Sequence, residues 1–331
     1  MSLARMGEFG MIDRIAEIVG SHPGKAVLGI GDDAALIESR SGLYTILTTD
    51  ALVEGIHFDP AYTPFNALGW KAIAVSISDV AAMGGIPVYA VVTMGVPAHW
   101  QVQDIEYLYQ GMVSCCSTYH CEIVGGDTVG CGSNGFLSVT VIGEVEKENC
   151  RKRDGAAIGD RLCVTGKLGA SRTGLEILRS GADGKNYANA IDRFLRPKPR
   201  IDVVTALSGI SGITAMIDIS DGLGSEIHHL CKQSELDCVI QETSIPVAPD
   251  AEKWCRFKQI ATTPFVIESG EEYELLFTVD NRVINKKLRQ TFNELEICII
   301  GEMTKKESGP RIQNGDTFSP LHFQGWDHFK E

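Results

Sequence analysis

Apolar residues recur at helical spacing at Phe9, Ile12, Ile15, Ala16 and Val19, and Gly20-Ser21-His22-Pro23-Gly24 ends the pattern, which predicts a helix over 8–20. The stretch 43–49, LYTILTT, is β-branched and predicts a strand. Residues 66–83 are apolar at nearly every position until Gly84, Gly85 and Pro87 close the run, as expected of a long buried helix. A strand follows at 88–95, an amphipathic helix at 101–119, a short buried strand at 121–125 and an alternating strand at 136–145. The polar, charged, glycine-bearing segment 148–160, ENCRKRDGAAIGD, then reads as a seam. Beyond it the pattern predicts strands at 161–165, 213–219 and near 237–240, 273–279 and 296–301. It predicts helices at 170–180, 186–195, 200–208, 222–233 and near 282–292, with Pro197-Lys198-Pro199 as a stop. Both halves are expected to be α+β, with strands paired rather than wound in strict βαβ order, and the boundary falls between 1–148 and 149–331. There is no short internal repeat and no low-complexity tract.

Bulk properties narrow the classes. A chain of 331 residues exceeds one ordinary core, in keeping with two domains. With 44% hydrophobic and 22% charged residues it is globular. Its net charge of −13 disfavours nucleic acid, which demands Lys and Arg patches. No apolar run is long enough to cross a membrane, and the opening MSLARMGEFG lacks the apolar core of a signal peptide. Ten cysteines without a CxxC pair read as buried thiols of a reducing cytoplasm rather than as disulfides or a zinc site.

The candidate chemistry lies in five aspartate segments: GIGDD (29–33), LTTD (47–50), SISD (76–79), VGGD (124–127) and IDISD (217–221). Each closes or follows an apolar stretch, which suggests acids gathered at element ends around one site. Two carboxylates about 4 Å apart repel by roughly 4 kcal/mol at an effective dielectric of about 20, so such a gathering demands cations. Carboxylate and hydroxyl oxygens suit Mg²⁺, Mn²⁺ or Ca²⁺ rather than zinc. Taken singly the segments have plainer readings. GIGDD is also a simple turn with an Asp N-cap before a helix, LTTD a strand end, and VGGDT a turn whose amides could cradle phosphate. Asp79 resists a plain reading: it sits inside the apolar helix, and Lys71, eight residues earlier, is too far for an i,i+4 bridge. In IDISDGL, strand alternation would point Asp218 and Ser220 to one side, with Asp221 opening a helix. Glu271 and Glu272 in SGEEYELL read alone as a solvated turn, and His57 in VEGIHF as a packed histidine without further zinc ligands. No Walker loop and no nucleophile elbow is present.

Taken in order, GEF (7–9), GIGDDAAL, TTDALVEGIHF, WKAIAVSISDVAAMGGIP, EIVGGDT, RDGAAIGD, VTGKLG, RPKPR, IDISDGL, GEEYELL and GWDHF (325–329) resemble the thiamine-monophosphate kinases, within the ATP-binding superfamily of aminoimidazole-ribonucleotide synthetase. The resemblance runs nearly end to end. It implies an α+β two-domain aminoimidazole-ribonucleotide synthetase-like fold, with an N-terminal domain that forms a dimeric β-barrel and a C-terminal α/β domain. It also implies transfer of the γ-phosphoryl group of ATP to thiamine monophosphate with Mg²⁺, in a homodimer. By position, Asp33, Thr48, Thr49, Asp50, Asp79, Asp127, Asp218 and Asp221 would form the metal shell. Tyr109, Gly126, Asp127, Arg153 and Ser220 would contact ATP, and His57, Glu271 and Trp326 would line the thiamine-phosphate pocket. The family's GGEDYELL is SGEEYELL here, so Ser269 and Glu272 are departures. A chain of net charge −13 that binds two phosphorylated substrates fits metal ions bridging acids and phosphates, with direct in-line transfer and no phospho-enzyme. No general base is assigned, and the number of ions and a role for K⁺ stay open. The alternatives are a sister synthetase, although no Cys precedes Cys115 to serve as the reactive thiol of a selenophosphate synthetase, and a non-catalytic Ca²⁺- or nucleotide-binding regulator.

Overall fold

The computed structural model describes residues 3–20, 26–40 and 42–322. The chain opens with α1 (Leu3–Gly20), kinked at Gly7, then β1 (Ala35–Arg40), β2 (Leu43–Val53), α2 (Phe65–Ala82), β3 (Ile86–Val96), α3 (Val102–Tyr119), β4 (Glu122–Gly130) and β5 (Phe136–Glu146). The five strands form one open sheet in the order β1-β2-β5-β3-β4, in which only β3 and β4 run parallel. A polar crossing leads to β6 (Arg161–Thr165), α4 (Ala170–Ser180), α5 (Ala188–Leu195), α6 (Ile201–Leu207), β7 (Ile213–Asp218), α7 (Leu223–Ser234) and β8 (Asp237–Gln241). The chain continues through α8 (Pro249–Lys258), α9 (Thr262–Ile267), β9 (Leu275–Val279), α10 (Lys286–Glu294), β10 (Ile297–Thr304), β11 (Arg311–Asn314) and β12 (Thr317–Pro320). These strands make a second sheet in the order β12-β11-β8-β10-β6-β9-β7, antiparallel except where β8 meets β11. The two-domain, mixed α+β expectation holds, while the first sheet does not close into a barrel within one chain. Among the described residues no helix is long and apolar enough to cross a membrane.

Helix α2 organises the molecule. Only Phe65, Asn66, Trp70 and Asp79 escape full burial along it, the pattern of a helix packed on every side. Leu68, Ile73, Ile77 and Val80 join the core beneath the first sheet with Ile46, Val92, Val139 and Val141. Its last turn, Ala81 and Ala82, belongs instead to a core of the second half with Met216, Leu275 and Phe277. Trp70 Nε1 donates to the carbonyl of Pro197 at 2.8 Å, a further tie between the halves. The other face of the second sheet is covered by α4, α5, α7, α8 and α9 around Ile217, Ile227, Trp254 and Leu276.

Some elements depart from the sequence expectations. β1, α8, α9, β11 and β12 lie outside the elements that the sequence pattern predicts. β1 and β12 are edge strands with mostly exposed side chains, and α8 carries several charged residues, so none has a clear apolar period. The segment after GIGDD is therefore strand β1, not a helix. β4 extends through VGGD instead of turning at its glycines, because residues 125–130 keep pairing with β3 after a bulge at Ala90/Val91. Gly126 permits this, since a Cβ there would lie 1.9 Å from the carbonyl oxygen of Val92.

The crossing of α2 and α3 is equally close. A Cβ on Gly69 would sit 1.9 Å from the Leu108 carbonyl oxygen, and one on Gly111 would sit 1.9 Å from that of Asn66. Either Gly→Ala change is therefore expected to destabilise the protein by about 3 kcal/mol in urea denaturation, because backbone must move. Gly132→Ala, with nothing within 4 Å of its added methyl, should stay within about 0.5 kcal/mol. A neutral Gly69→Ala would contradict the close crossing.

Candidate active site at the seam between the two halves

Four stretches deliver acids to one place. β2 alternates, so Thr48 and Asp50 point inward toward α2. The Thr48 hydroxyl donates to Oδ2 of Asp79, and Ser76 Oγ donates to Oδ2 of Asp50 at 2.7 Å. One turn of α2 thus presents Ser76, Ser78 and Asp79 together. Ser78 Oγ reaches across the seam to Oδ2 of Asp218 at 2.5 Å, at the end of β7. Asp33, from the GIGDD loop, completes the group: carboxylate oxygens of Asp33, Asp79 and Asp218 all lie within 4.8 Å of one another.

This gathering is electrostatically costly. Burial, then the charges of Asp50, Asp218 and Asp33, push the Asp79 carboxyl well above its ordinary range. Burial, then the charge of Asp33, pushes Asp218 up to about 8, and burial also raises Asp50. The chain supplies one partial remedy. Arg153, in the crossing segment, grips Asp33 with Nη2 at 2.6 Å and Nε at 3.3 Å, and its N–H donates to Oδ2 of Asp32 at 3.2 Å. Even so, Asp32 is pushed up to about 7, by burial first and by its neighbour Asp33 second. One guanidinium against five acids, Asp32, Asp33, Asp50, Asp79 and Asp218, leaves a surplus of negative charge. The donors are all carboxylate and hydroxyl oxygens, a set that fits a hard divalent cation.

The remaining expected residues divide. Asp221 stands beside the group, its N–H donating to Glu226 Oε1 at 3.0 Å. Ser220 lies beyond the end of β7 and so does not share strand alternation with Asp218; its Oγ donates to Glu226 at 3.5 Å and its carbonyl accepts the N–H of Glu271 at 2.6 Å. Thr49 is placed differently from Thr48. It points to the opposite face of β2, where its hydroxyl meets Thr140 at 3.1 Å and Ser138 at 3.5 Å, so its side chain does not join the acids. Asp127 is exposed on β4, where its carboxylate accepts the N–H of Thr128 at 2.8 Å, and is not one of the three converging acids. Tyr109 is half-buried on α3 and lines an apolar cavity of about 750 Å³ with Met94, Trp100, Ile105, Thr128 and Val129. His57 follows β2, and its Nδ1 accepts the N–H of Val53 at 3.0 Å. Trp326 lies outside the described residues.

Glu271 and Glu272 do not form a solvated turn. Glu271 has φ +57° and its Oε1 lies 2.7 Å from Nζ of Lys71, a residue of α2 that is 1% exposed. Glu272 is buried; its Oε1 accepts from the Gly169 N–H at 2.7 Å and from Ser269 Oγ at 2.5 Å, so the two departures from the family pattern hydrogen-bond each other. Burial pushes Glu272 up to about 7 despite the Ser269 hydroxyl. Glu226, buried in the first turn of α7, went unnoticed in the sequence because it reads as an ordinary helix-start acid. Asp32, Ser76, Ser78 and Lys71 were inside recognised motifs without a signal of their own.

Comparison with known proteins gives the family. Residues 31–145 match the family described as AIR synthase related protein, N-terminal domain, and residues 157–312 match its C-terminal domain. The chain is 35% identical to a thiamine-monophosphate kinase of Bacillus subtilis, over 98% of this chain and 100% of the relative. It is 36% identical to one of Aquifex aeolicus, over 99% and 100%. A solved structure described as AaThiL complexed with AMPPCP and TMP superposes with a TM-score of 0.86 at 34% identity, covering 99% of both chains. Escherichia coli HypE, at 20% identity and a TM-score of 0.70 over 96% of this chain and 97% of that one, shares the fold.

The raised carboxyls have a thermodynamic sign. An acid whose folded pKa lies above its unfolded value of about 3.9 takes up a proton on folding, so stability is greatest at low pH and falls as pH rises through the folded value. Without divalent cation, the thermal midpoint is expected to fall between about pH 5 and about 8, the window set by Asp218. Added Mg²⁺ should raise the midpoint more at the upper end of that window than at the lower, because cation and proton compete. Asp79→Asn should raise the metal-free midpoint at about pH 8 by relieving repulsion. Equal Mg²⁺ shifts at both pH values would contradict this account of the acid cluster.

Proposed function

The chain belongs to the thiamine-monophosphate kinases, among the AIR synthase related proteins, and from that membership we propose how its residues divide the reaction. It phosphorylates thiamine monophosphate with ATP. An oxygen of the substrate's phosphate bonds to the γ-phosphorus of ATP, the bond from that phosphorus to the β,γ-bridging oxygen breaks, and thiamine diphosphate and ADP leave. The observation that carries the assignment to this site is the convergence of Asp33, Asp79 and Asp218 from both halves of the chain. Full-length identity to thiamine-monophosphate kinases favours this substrate over those of the sister synthetases.

Asp33, Asp79 and Asp218, with Thr48, Asp50 and Asp221 around them, would hold Mg²⁺, and Asp127 would join from β4. Bound there, Mg²⁺ neutralises the acids and the phosphate oxygens that face them. Arg153 adds the guanidinium at the same place. We assign the nucleobase to the apolar cavity at Tyr109, whose wall includes Thr128, the residue after Gly126 and Asp127 on β4. Ser220 would contact ATP, while His57, Glu271 and Trp326 would receive the thiamine end. The chain's part is then orientation and charge balance, with direct in-line transfer and no side chain required as a covalent carrier.

We further infer a homodimer through the first domain, residues 1–148. Helices cover one face of its sheet; the other face bears the in-register row Leu47, Ile142 and Tyr89, of which Leu47 and Tyr89 are exposed. A second copy would cover this face and complete a barrel. Residues 149–331 would then finish the ATP and substrate site. All ten cysteines are free, which supports a reducing, cytoplasmic setting.

Asp79→Asn is expected to lower the ATP-dependent formation of thiamine diphosphate by at least about 10³-fold, measured by chromatography of the products. Release of ADP with an aminoimidazole precursor but not with thiamine monophosphate would overturn the kinase reading. In sedimentation, Leu47→Asp is expected to turn a dimer into a monomer; a variant that stays dimeric would put the interface elsewhere.

A further inference from the structure

Lys71 is the buried cation that the reaction described above leaves unused. It lies on α2 with 1% of its side chain exposed, and its ammonium sits 3.8 Å from the centroid of the Phe194 ring. Among the described residues its one ionic contact is Oε1 of Glu271 at 2.7 Å, without good hydrogen-bond geometry. An ammonium withdrawn from water costs several kcal/mol unless paired, and an apolar side chain of equal volume would pack on Phe194 at less cost. Stability alone therefore does not account for a lysine here.

Its partner is held just as deliberately. Glu271 occupies the left-handed region at φ +57°, as does Tyr273 at +51°, a strained conformation for residues with side chains. The Glu271 N–H donates to the Ser220 carbonyl at 2.6 Å. Gly270 makes that approach feasible, since a Cβ there would come within 2.9 Å of the same carbonyl oxygen. The backbone of Glu271 is thus tied to the IDISD segment of the second half, and its carboxylate to α2 of the first. About a quarter of the Glu271 side chain, 26%, remains accessible, so the residue is not sealed in the core as Lys71 is.

We propose that Lys71 is a positioning residue for the acceptor substrate: it fixes the Glu271 carboxylate in the orientation that receives the cationic thiazolium or the aminopyrimidine of thiamine monophosphate. The same helix carries Asp79, so Lys71 also sets the acceptor pocket relative to the acid cluster. This rests on the reading of Glu271 as a substrate residue, and the test separates the two.

Steady-state kinetics of Lys71→Met should show KM for thiamine monophosphate raised about tenfold, with kcat and KM for ATP moved less than about twofold, and Lys71→Arg should recover most of the loss. Glu271→Gln should raise the same KM, and the double variant should cost no more than the larger single change. If Glu271→Gln raises that KM but Lys71→Met leaves it at the parent value, the positioning role fails and the substrate reading stands. If Glu271→Gln leaves it unchanged, the substrate reading fails and takes the positioning role with it. Parallel changes in the parameters of both substrates, with a lower melting point, would mean a merely structural lysine and overturn the proposal. Should Lys71→Met not fold, Phe194→Leu decides: removing the ring beneath the ammonium should raise KM for thiamine monophosphate about threefold, and an unchanged value overturns the proposal.

Discussion

Three carboxylates that repel one another are the constraint on which the rest of the molecule turns. Asp33, Asp79 and Asp218 come from a loop, a helix and a strand end separated by dozens of residues, yet their oxygens lie within 4.8 Å. No such group gathers by itself in water. It is held by apolar packing on either side and by hydroxyls that donate into it, Thr48 to Asp79, Ser76 to Asp50 and Ser78 to Asp218. Arg153 answers part of the charge through Asp33. The protein thus carries a local electrostatic penalty offset by burial elsewhere, as a site prepared for cations and phosphates would.

Burial of α2 on all sides is what makes that penalty tolerable. Its first turns belong to the core of the first sheet and Ala81 and Ala82 to a core of the second, so one rigid element bridges the seam alongside the loop contact of Arg153 with Asp33. Gly69 and Gly111 let α3 press against it at backbone distance, which fixes its position to within the tolerance of close packing. Three of the side chains that reach across the seam, Trp70 to Pro197, Ser78 to Asp218 and Lys71 to Glu271, start from this helix.

Much of this was legible in the sequence because it is local. An apolar run of helix length announced α2, and an acid inside it with no neighbouring base announced Asp79. Elements whose side chains face water were hidden: β1 and β12 have little apolar period to read, and α8 mixes charges with its buried Ala251, Trp254 and Cys255. Long-range pairs were hidden too. Nothing near Lys71 in the chain points to Glu271 two hundred residues away, and nothing in TTD says which threonine faces in; strand parity, fixed by pairing with β5, turns Thr48 inward and Thr49 outward. The motifs located the site, and only tertiary contacts assigned inward and outward positions within them.

The two ends of the seam are spaced by α2 as by a ruler. Lys71 and Asp79 are eight residues apart, about 12 Å along the axis at about 1.5 Å per residue. A residue inserted or deleted between them would swing one end by about 100° against the other, burying polar groups or exposing apolar ones whichever end the packing followed. The apolar positions of that octet can exchange for other apolar residues, while Ser76 and Ser78 must keep hydroxyls for Asp50 and Asp218 and the length cannot change. Exchange of one apolar side chain for another along α2 is therefore far less disruptive than a change in its length.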